Sequence, residues 1–204
     1  MCLVLKFFFK SPYPPVALKM EIIMILRKLF INTIALMFIS SHIVSAEPVT
    51  IGGVEMGDDT KSVAFEQVKK KIGKWEGTMT QGLTGAVFDV SYVFRLTSGG
   101  NTITETLVED GVEMLTTYSD DNGELVIKHY CGLGTEPIFE VDQLSGKILS
   151  IKLDKSKTDL HSEHESFVTN MKWTMNSKDS MSFENTVMLD GEPTTNKANL
   201  KRVY

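Results

Sequence analysis

The sequence predicts an all-β fold: a closed, up-and-down antiparallel β-barrel of about 8–10 strands, preceded by one short helix. Three observations carry this. From Gly73 onward, apolar and polar residues alternate with a period of two in a run of short segments separated by turn residues. Three successive hairpins, each assigned from its own turn, place their apolar residues on one common face. No long loop is present to cover a free sheet edge, and closure of the sheet removes its edges.

The first 46 residues read as a leader outside the fold. Residues 1–19, with Lys6, Lys10, Pro12, Pro14 and Pro15, form an upstream extension. From Met20 or Met24 the pattern is that of a secretory signal. Arg27 and Lys28 form its basic region, Leu29 to Ile39 its apolar region, and Val44-Ser45-Ala46 places small residues for cleavage before Glu47. A membrane anchor needs about 20 apolar residues. Arg27 and Lys28 interrupt one side of this stretch and Ser40-Ser41-His42 the other, so no stable membrane insertion is expected after cleavage. The protein is therefore expected to be exported, periplasmic or secreted. A loose arm (47–58) and a barrel domain (59–204) remain.

The leader holds five Lys/Arg and one acidic residue, which leaves 16 basic and 25 acidic residues in 47–204, a net charge of −9. That balance argues against nucleic acid and against anionic membrane surfaces as partners. Cys2 lies in the leader, so Cys131 is the only thiol of the remainder and an intramolecular disulfide cannot form. A lone thiol in this setting reads as a small buried residue.

Along the chain, Asp58 or Asp59 can cap a helix over about 60–71, in which Phe65, Val68 and Ile72 recur at helical spacing and Lys69, Lys70 and Lys71 approach its C-terminus. Gly73 ends it. Trp75, in the stretch Gly73-Lys74-Trp75-Glu76-Gly77, then begins the strands as a plug at the closed end of the barrel. The strand segments are 74–81, 86–97, 101–109, 112–119, 123–130, 136–142, 146–153, 165–175, 180–189 and 195–203. Two-residue turns at Gly99-Gly100, Asp110-Gly111 and Asp121-Asn122 set the register. They predict the cross-strand rows Leu96/Ile103/Tyr118/Leu125, Phe94/Glu105/Thr116/Ile127 and Tyr92/Leu107/Met114/His129. The other face carries Arg95, Thr102, Thr104, Thr106, Glu113, Thr117, Glu124 and Lys128, which suits solvent. Later, Phe167, Met171, Trp173 and Met175 share one face, and Met181, Phe183, Val187 and Leu189 continue the inner wall.

Gly73-Lys74-Trp75 on the first strand, with Lys201-Arg202 on the last, resembles the signature of the calycins: lipocalins, fatty-acid-binding proteins and their relatives. The resemblance implies that Arg202 lies over the Trp75 indole and seals the barrel base. Trp75-Glu76-Gly77, Glu105-Thr106-Leu107, Glu113-Met114, Tyr118, His129-Tyr130-Cys131, Gly134 and Pro137 are similar to the motifs of an uncharacterised, often exported bacterial family of calycin-like domains. This chain departs from that pattern at Thr135-Glu136 and Ile138. The nitrobindins, ten-stranded haem barrels with a late histidine ligand, are a more distant resemblance.

The register puts two ionisable residues, Glu105 and His129, on the apolar inner face. His129 is either a core histidine satisfied by a neighbour, a ligand contact, or an axial haem ligand; Glu105 either makes an internal hydrogen bond or meets a ligand's polar head. The two lie two strands apart and one inward step along, roughly 12 Å, too far for a proton-transfer dyad. His161 and His164 have a His-x-x-His spacing, which on a strand points to opposite faces, so no shared metal is expected. His164 is the other candidate haem ligand. No nucleophile motif or phosphate-cradling glycine loop is present.

The reading that follows is a barrel that binds a small hydrophobic or amphipathic molecule. Tyr92, Phe94, Leu107, Met114, Ile127, Phe167, Met171 and Trp173 would line its cavity, and Glu105, Thr116 and His129 would hold a polar group. Two alternatives stand beside it: a haem-binding barrel with nitrobindin-like redox or isomerase chemistry, using His129 or His164, and a ligand-free structural or protein-binding module.

Overall fold

The computed structural model describes residues 50–55, 61–161 and 165–204, all within the unit Pro48–Tyr204. The leader, the Asp58/Asp59 cap and His164 lie outside the described residues. A small hairpin of β1 (Thr50–Ile51) and β2 (Val54–Glu55) comes first, then helix α1 (Val63–Lys69). Ten strands follow: β3 (Gly73–Thr80), β4 (Val87–Thr97), β5 (Thr102–Glu109), β6 (Val112–Asp121), β7 (Glu124–Tyr130), β8 (Ile138–Leu144), β9 (Ile148–Leu153), β10 (Phe167–Ser177), β11 (Ser180–Leu189) and β12 (Glu192–Val203). Each pairs antiparallel with its neighbour in sequence, and β12 pairs with β3 to close the barrel. The expected closed up-and-down barrel is the observed fold, at the upper end of the expected strand number.

The turns explain both the agreement and one correction. Asp110-Gly111 (φ 49° and 77°) and Asn122-Gly123 (φ 52° and 83°) take the left-handed conformations that two-residue hairpin turns require. The first two hairpins keep the expected register, with Leu96 opposite Ile103 and Ile103 opposite Tyr118. The third turn is Asn122-Gly123 rather than Asp121-Asn122, because glycine satisfies the second left-handed position. The register therefore moves by two residues. Tyr118 faces Ile127, and Thr116 faces His129. An even shift leaves every side chain on its expected face, but it moves His129 out of the Tyr92/Leu107/Met114 row and into that of Phe94, Glu105 and Thr116.

Helix α1 is shorter than expected. Ser62 is its N-cap, with Oγ accepting from Phe65 N at 3.1 Å, and Lys70 is its C-cap. The helix packs across one end of the barrel, where Ser62 N donates to Asp120 Oδ2 (2.8 Å) and Gln67 Nε2 to Gly146 O (3.2 Å). Lys71, expected to serve the helix C-terminus, instead enters the barrel and is 1% exposed.

The closing seam is locked by Arg202. Its guanidinium lies 4.2 Å from the Trp75 ring centroid. It donates to the carbonyls of Ile72 (2.5 Å), Lys70 (3.0 Å) and Lys178 (3.0 Å). Trp75 Nε1 donates to Lys71 O at 2.7 Å. Two glycines make room for this lock. Gly73 holds φ +124°, and a side chain there would begin 2.7 Å from Arg202 Nη1; at Gly77 it would begin 1.9 Å from Asn199 O on the paired strand.

Arg202→Ala is expected to lose about 2–4 kcal/mol of stability, because three carbonyls lose a charged donor and Trp75 loses its cover. Arg202→Lys should recover less than half, since an ammonium cannot span the three carbonyls as the planar fork does. Urea unfolding followed by tryptophan fluorescence measures both, and a loss in the range of an ordinary surface substitution, within about 0.5 kcal/mol, would contradict the lock.

Candidate functional site

The barrel interior divides into two halves. The half under α1 is packed with rings: Tyr92, Phe94, Tyr118, Trp173 and Phe183 are all within 1% of full burial. Edge-on contacts link Tyr92 to Phe183 (5.3 Å) and Tyr118 to Trp173 (6.1 Å). The opposite half holds a cavity of about 270 Å³ at the mouth formed by the β3–β4, β5–β6, β7–β8 and β11–β12 connections. Leu107, Met114, Val168, Met171, Phe183 and Val187 form much of its apolar wall, while Glu109, His129, Cys131, Asn185 and Asn196 bring polar groups to it.

Of the residues expected to line a cavity, Leu107, Met114, His129 and Met171 do so. Tyr92, Phe94, Glu105, Thr116, Ile127 and Trp173 are buried but do not line this cavity. Phe167 is buried too, but it is turned away from the cavity. A bulge between Val168 and Asn170 inverts the alternation of β10 there, so Phe167 pairs with Met188 and Val168 takes the cavity wall.

His129 sits on the cavity side of a polar row that crosses the barrel wall. Its Nδ1 lies 2.9 Å from Thr116 Oγ1, and Nε2 has no partner among the described residues. Burial lowers its pKa from 6.5 to about 4, so the imidazole is neutral at pH 7. With the corrected register, Glu105 lies in the same row, two strand spacings or roughly 10 Å away, with Thr116 between. Tyr118 Oη donates to Glu105 Oε2 at 2.5 Å.

Deeper still, Lys71 Nζ stands 5.1 Å from the Trp173 ring centroid and 5.8 Å from that of Phe94. Lys71 Nζ, Glu105 Oε1 and Trp173 Nε1 are buried without hydrogen-bond partners. Burial pushes the Lys71 amine down to about 7, against the pull of Glu105. Burial likewise pushes Glu105 up to about 7, against the Tyr118 hydroxyl and the charge of Lys71. On the mouth side, Tyr92 Oη donates to Glu109 Oε1 at 2.7 Å, and burial raises the Glu109 pKa despite that bond. Asn196 Nδ2 donates to Asn185 Oδ1 at 2.9 Å, and Gly82 N donates to Asn196 Oδ1 at 3.0 Å. Burial raises the Cys131 thiol above its ordinary value, which disfavours the reactive thiolate.

A haem does not fit this cavity. A void of about 150 Å³ takes one benzene ring, and a macrocycle of four pyrroles needs more than the 270 Å³ present. His161 Nε2 lies 3.1 Å from Asp159 Oδ1 at the surface.

No family profile matches the sequence, and no curated protein does. The fold has a solved counterpart. It is a protein of unknown function from the DUF3598 family of Nostoc punctiforme, 9% identical, with a TM-score of 0.52. The match covers 67% of this chain and 49% of that one, so this chain spans about half the counterpart's length. At that identity the likeness speaks for the fold alone.

Sequence reasoning missed Lys71, Glu109, Asn185 and Val168. Glu109 shares the parity of Glu105 and Leu107, and Asn185 that of Phe183 and Val187, so alternation alone would have found both. Val168 depends on a bulge, and Lys71 on where the helix ends; neither has a clear local signal.

The three shifted groups make a pH prediction. Glu105, raised from 4.5, stabilises the fold below that value and loses the contribution as pH rises through about 7. His129, lowered from 6.5, contributes above that value and loses it as pH falls through about 4, so these two oppose each other in mild acid. Lys71, lowered from 10.5, contributes fully above that value and loses it as pH falls through about 7. Wild-type stability should therefore gain on the alkaline side relative to Lys71→Met, whose advantage shrinks from about pH 7 to about pH 10. Urea midpoints across that range measure it; parallel curves for the two proteins would contradict it.

Proposed function

We propose that this chain is an exported, calycin-like barrel that binds one small, largely apolar molecule in the cavity at its open end. The observation that carries the reading is the cavity itself, about 270 Å³ of space bounded by apolar side chains and a few polar groups. That arrangement is typical of ligand sites. Scaled from the benzene-sized void, it takes a molecule of about ten non-hydrogen atoms. The leader-like N-terminus supports export, and the Trp75–Arg202 lock supports the calycin likeness.

The two ends of the barrel have different tasks in this reading. The packed half, closed by α1 and Arg202, supplies stability and a fixed floor. The mouth half trades packing for space. His129, held by Thr116, offers its free Nε2 at the cavity, so the ligand carries at least one hydrogen-bonding group beside its apolar body.

1-Octanol, with nine non-hydrogen atoms, is a suitable probe. Titration into the purified protein should give saturable one-to-one NMR shifts at the Met114 and Met171 methyls and at Leu107. Met114→Trp, which fills the cavity from its wall, should weaken binding at least tenfold while keeping the unfolding midpoint. An absence of saturable shifts would favour the ligand-free module instead.

A further inference from the structure

We propose that the cavity is selective by charge: it takes an apolar amine, with its ammonium group toward Glu109, and rejects carboxylates of the same length. This rests on the binding reading above and names the ligand class for that site.

Among the described residues, the cavity wall contains no Lys or Arg, and its only charged side chains are Glu109 and Asp110. A buried anionic head would therefore find no cation to pair with and would face a carboxylate, a combination that disfavours its entry. His129 does not supply the missing charge, because burial keeps its ring neutral. It lines the cavity at 1% exposure with Nε2 unpartnered, a built-in acceptor or donor for a neutral or cationic head.

Glu109 is placed to act as the counter-ion. Tyr92 Oη fixes its Oε1 at 2.7 Å, and Oε2 takes no hydrogen bond among the described residues. Burial penalises its bare carboxylate, and an ammonium beside it relieves that penalty. The net charge of −9 over residues 47–204 favours the approach of cations to the mouth.

A metal cation is a poorer fit than an organic one. Hard divalent ions need six or more oxygen ligands, and no group of three His, Cys, Asp or Glu stands together among the described residues. The apolar wall of Leu107, Met114, Met171 and Val187 would have no role in holding such an ion. An alkyl or aryl tail uses it fully.

The test compares three probes of one length by calorimetric titration into the purified protein: 1-octylamine, 1-octanol and octanoate. The expected order is amine, then alcohol, then carboxylate, with at least tenfold between the first and the last. Glu109→Gln keeps the side chain's size and an acceptor for Tyr92, and should bring the amine-to-carboxylate ratio close to one. Octanoate binding as tightly as octylamine would overturn charge selection while leaving the binding barrel intact. Failure of all three probes to bind would overturn the binding reading, and this inference with it.

Discussion

Ten antiparallel strands closed on themselves enclose a wider interior than the eight that side chains just fill, and that surplus volume is the constraint from which the rest of the structure follows. The protein fills one half and leaves the other. In the filled half, two tryptophans, two tyrosines, two phenylalanines and the side chain of Lys71 take up the space beneath α1. The closing pair β3–β12 needs a seal at that end, and Arg202 over Trp75 provides it by capping carbonyls that the helix and the β10–β11 turn would otherwise leave open. In the other half the side chains are shorter or more flexible, mainly Leu, Met and Val, and a cavity remains.

Polar groups are distributed according to this division. In the packed half they are buried and incompletely paired: Lys71 and Glu105 act on each other's charge, and each loses a good part of its tendency to ionise. Such a pair contributes little to stability by itself, because desolvation offsets much of the Coulomb attraction. Nearer the mouth, Thr116 orients His129, Tyr92 orients Glu109, and the Asn185–Asn196 pair ties β11 to β12. Each has a partner that holds it and a side turned to the cavity. The wall of the packed half thus presents oriented polar groups to the open half.

Much of this architecture was legible in the sequence, because a period of two survives errors of detail. The shift of the β6–β7 turn from Asp121-Asn122 to Asn122-Gly123 changed every pairing across that hairpin. Since it was an even shift, it moved no side chain between faces. Hence the inward set was largely right while the rows were wrong, and His129 was placed one inward step away from Glu105 when both share a row. The site was less legible for a related reason. Alternation says which side chains point inward but not how far down the barrel the packing ends, so Phe94, Ile127 and Trp173 read as cavity wall when they belong to the packed half. Phe167 failed on the bulge beside Val168, and Lys71 on a helix that stops two residues before it. Both are departures from regular geometry, which periodicity cannot register.

The central claim is that the barrel is solid under the helix and hollow at the mouth. A crystal of the purified protein pressurised with xenon tests it most directly, since xenon enters apolar voids and not packed cores. Xenon is expected among Leu107, Met114, Met171 and Phe183, and not among Trp75, Phe94, Tyr118 and Trp173. Xenon in the helix-capped half, or an empty mouth, would contradict it.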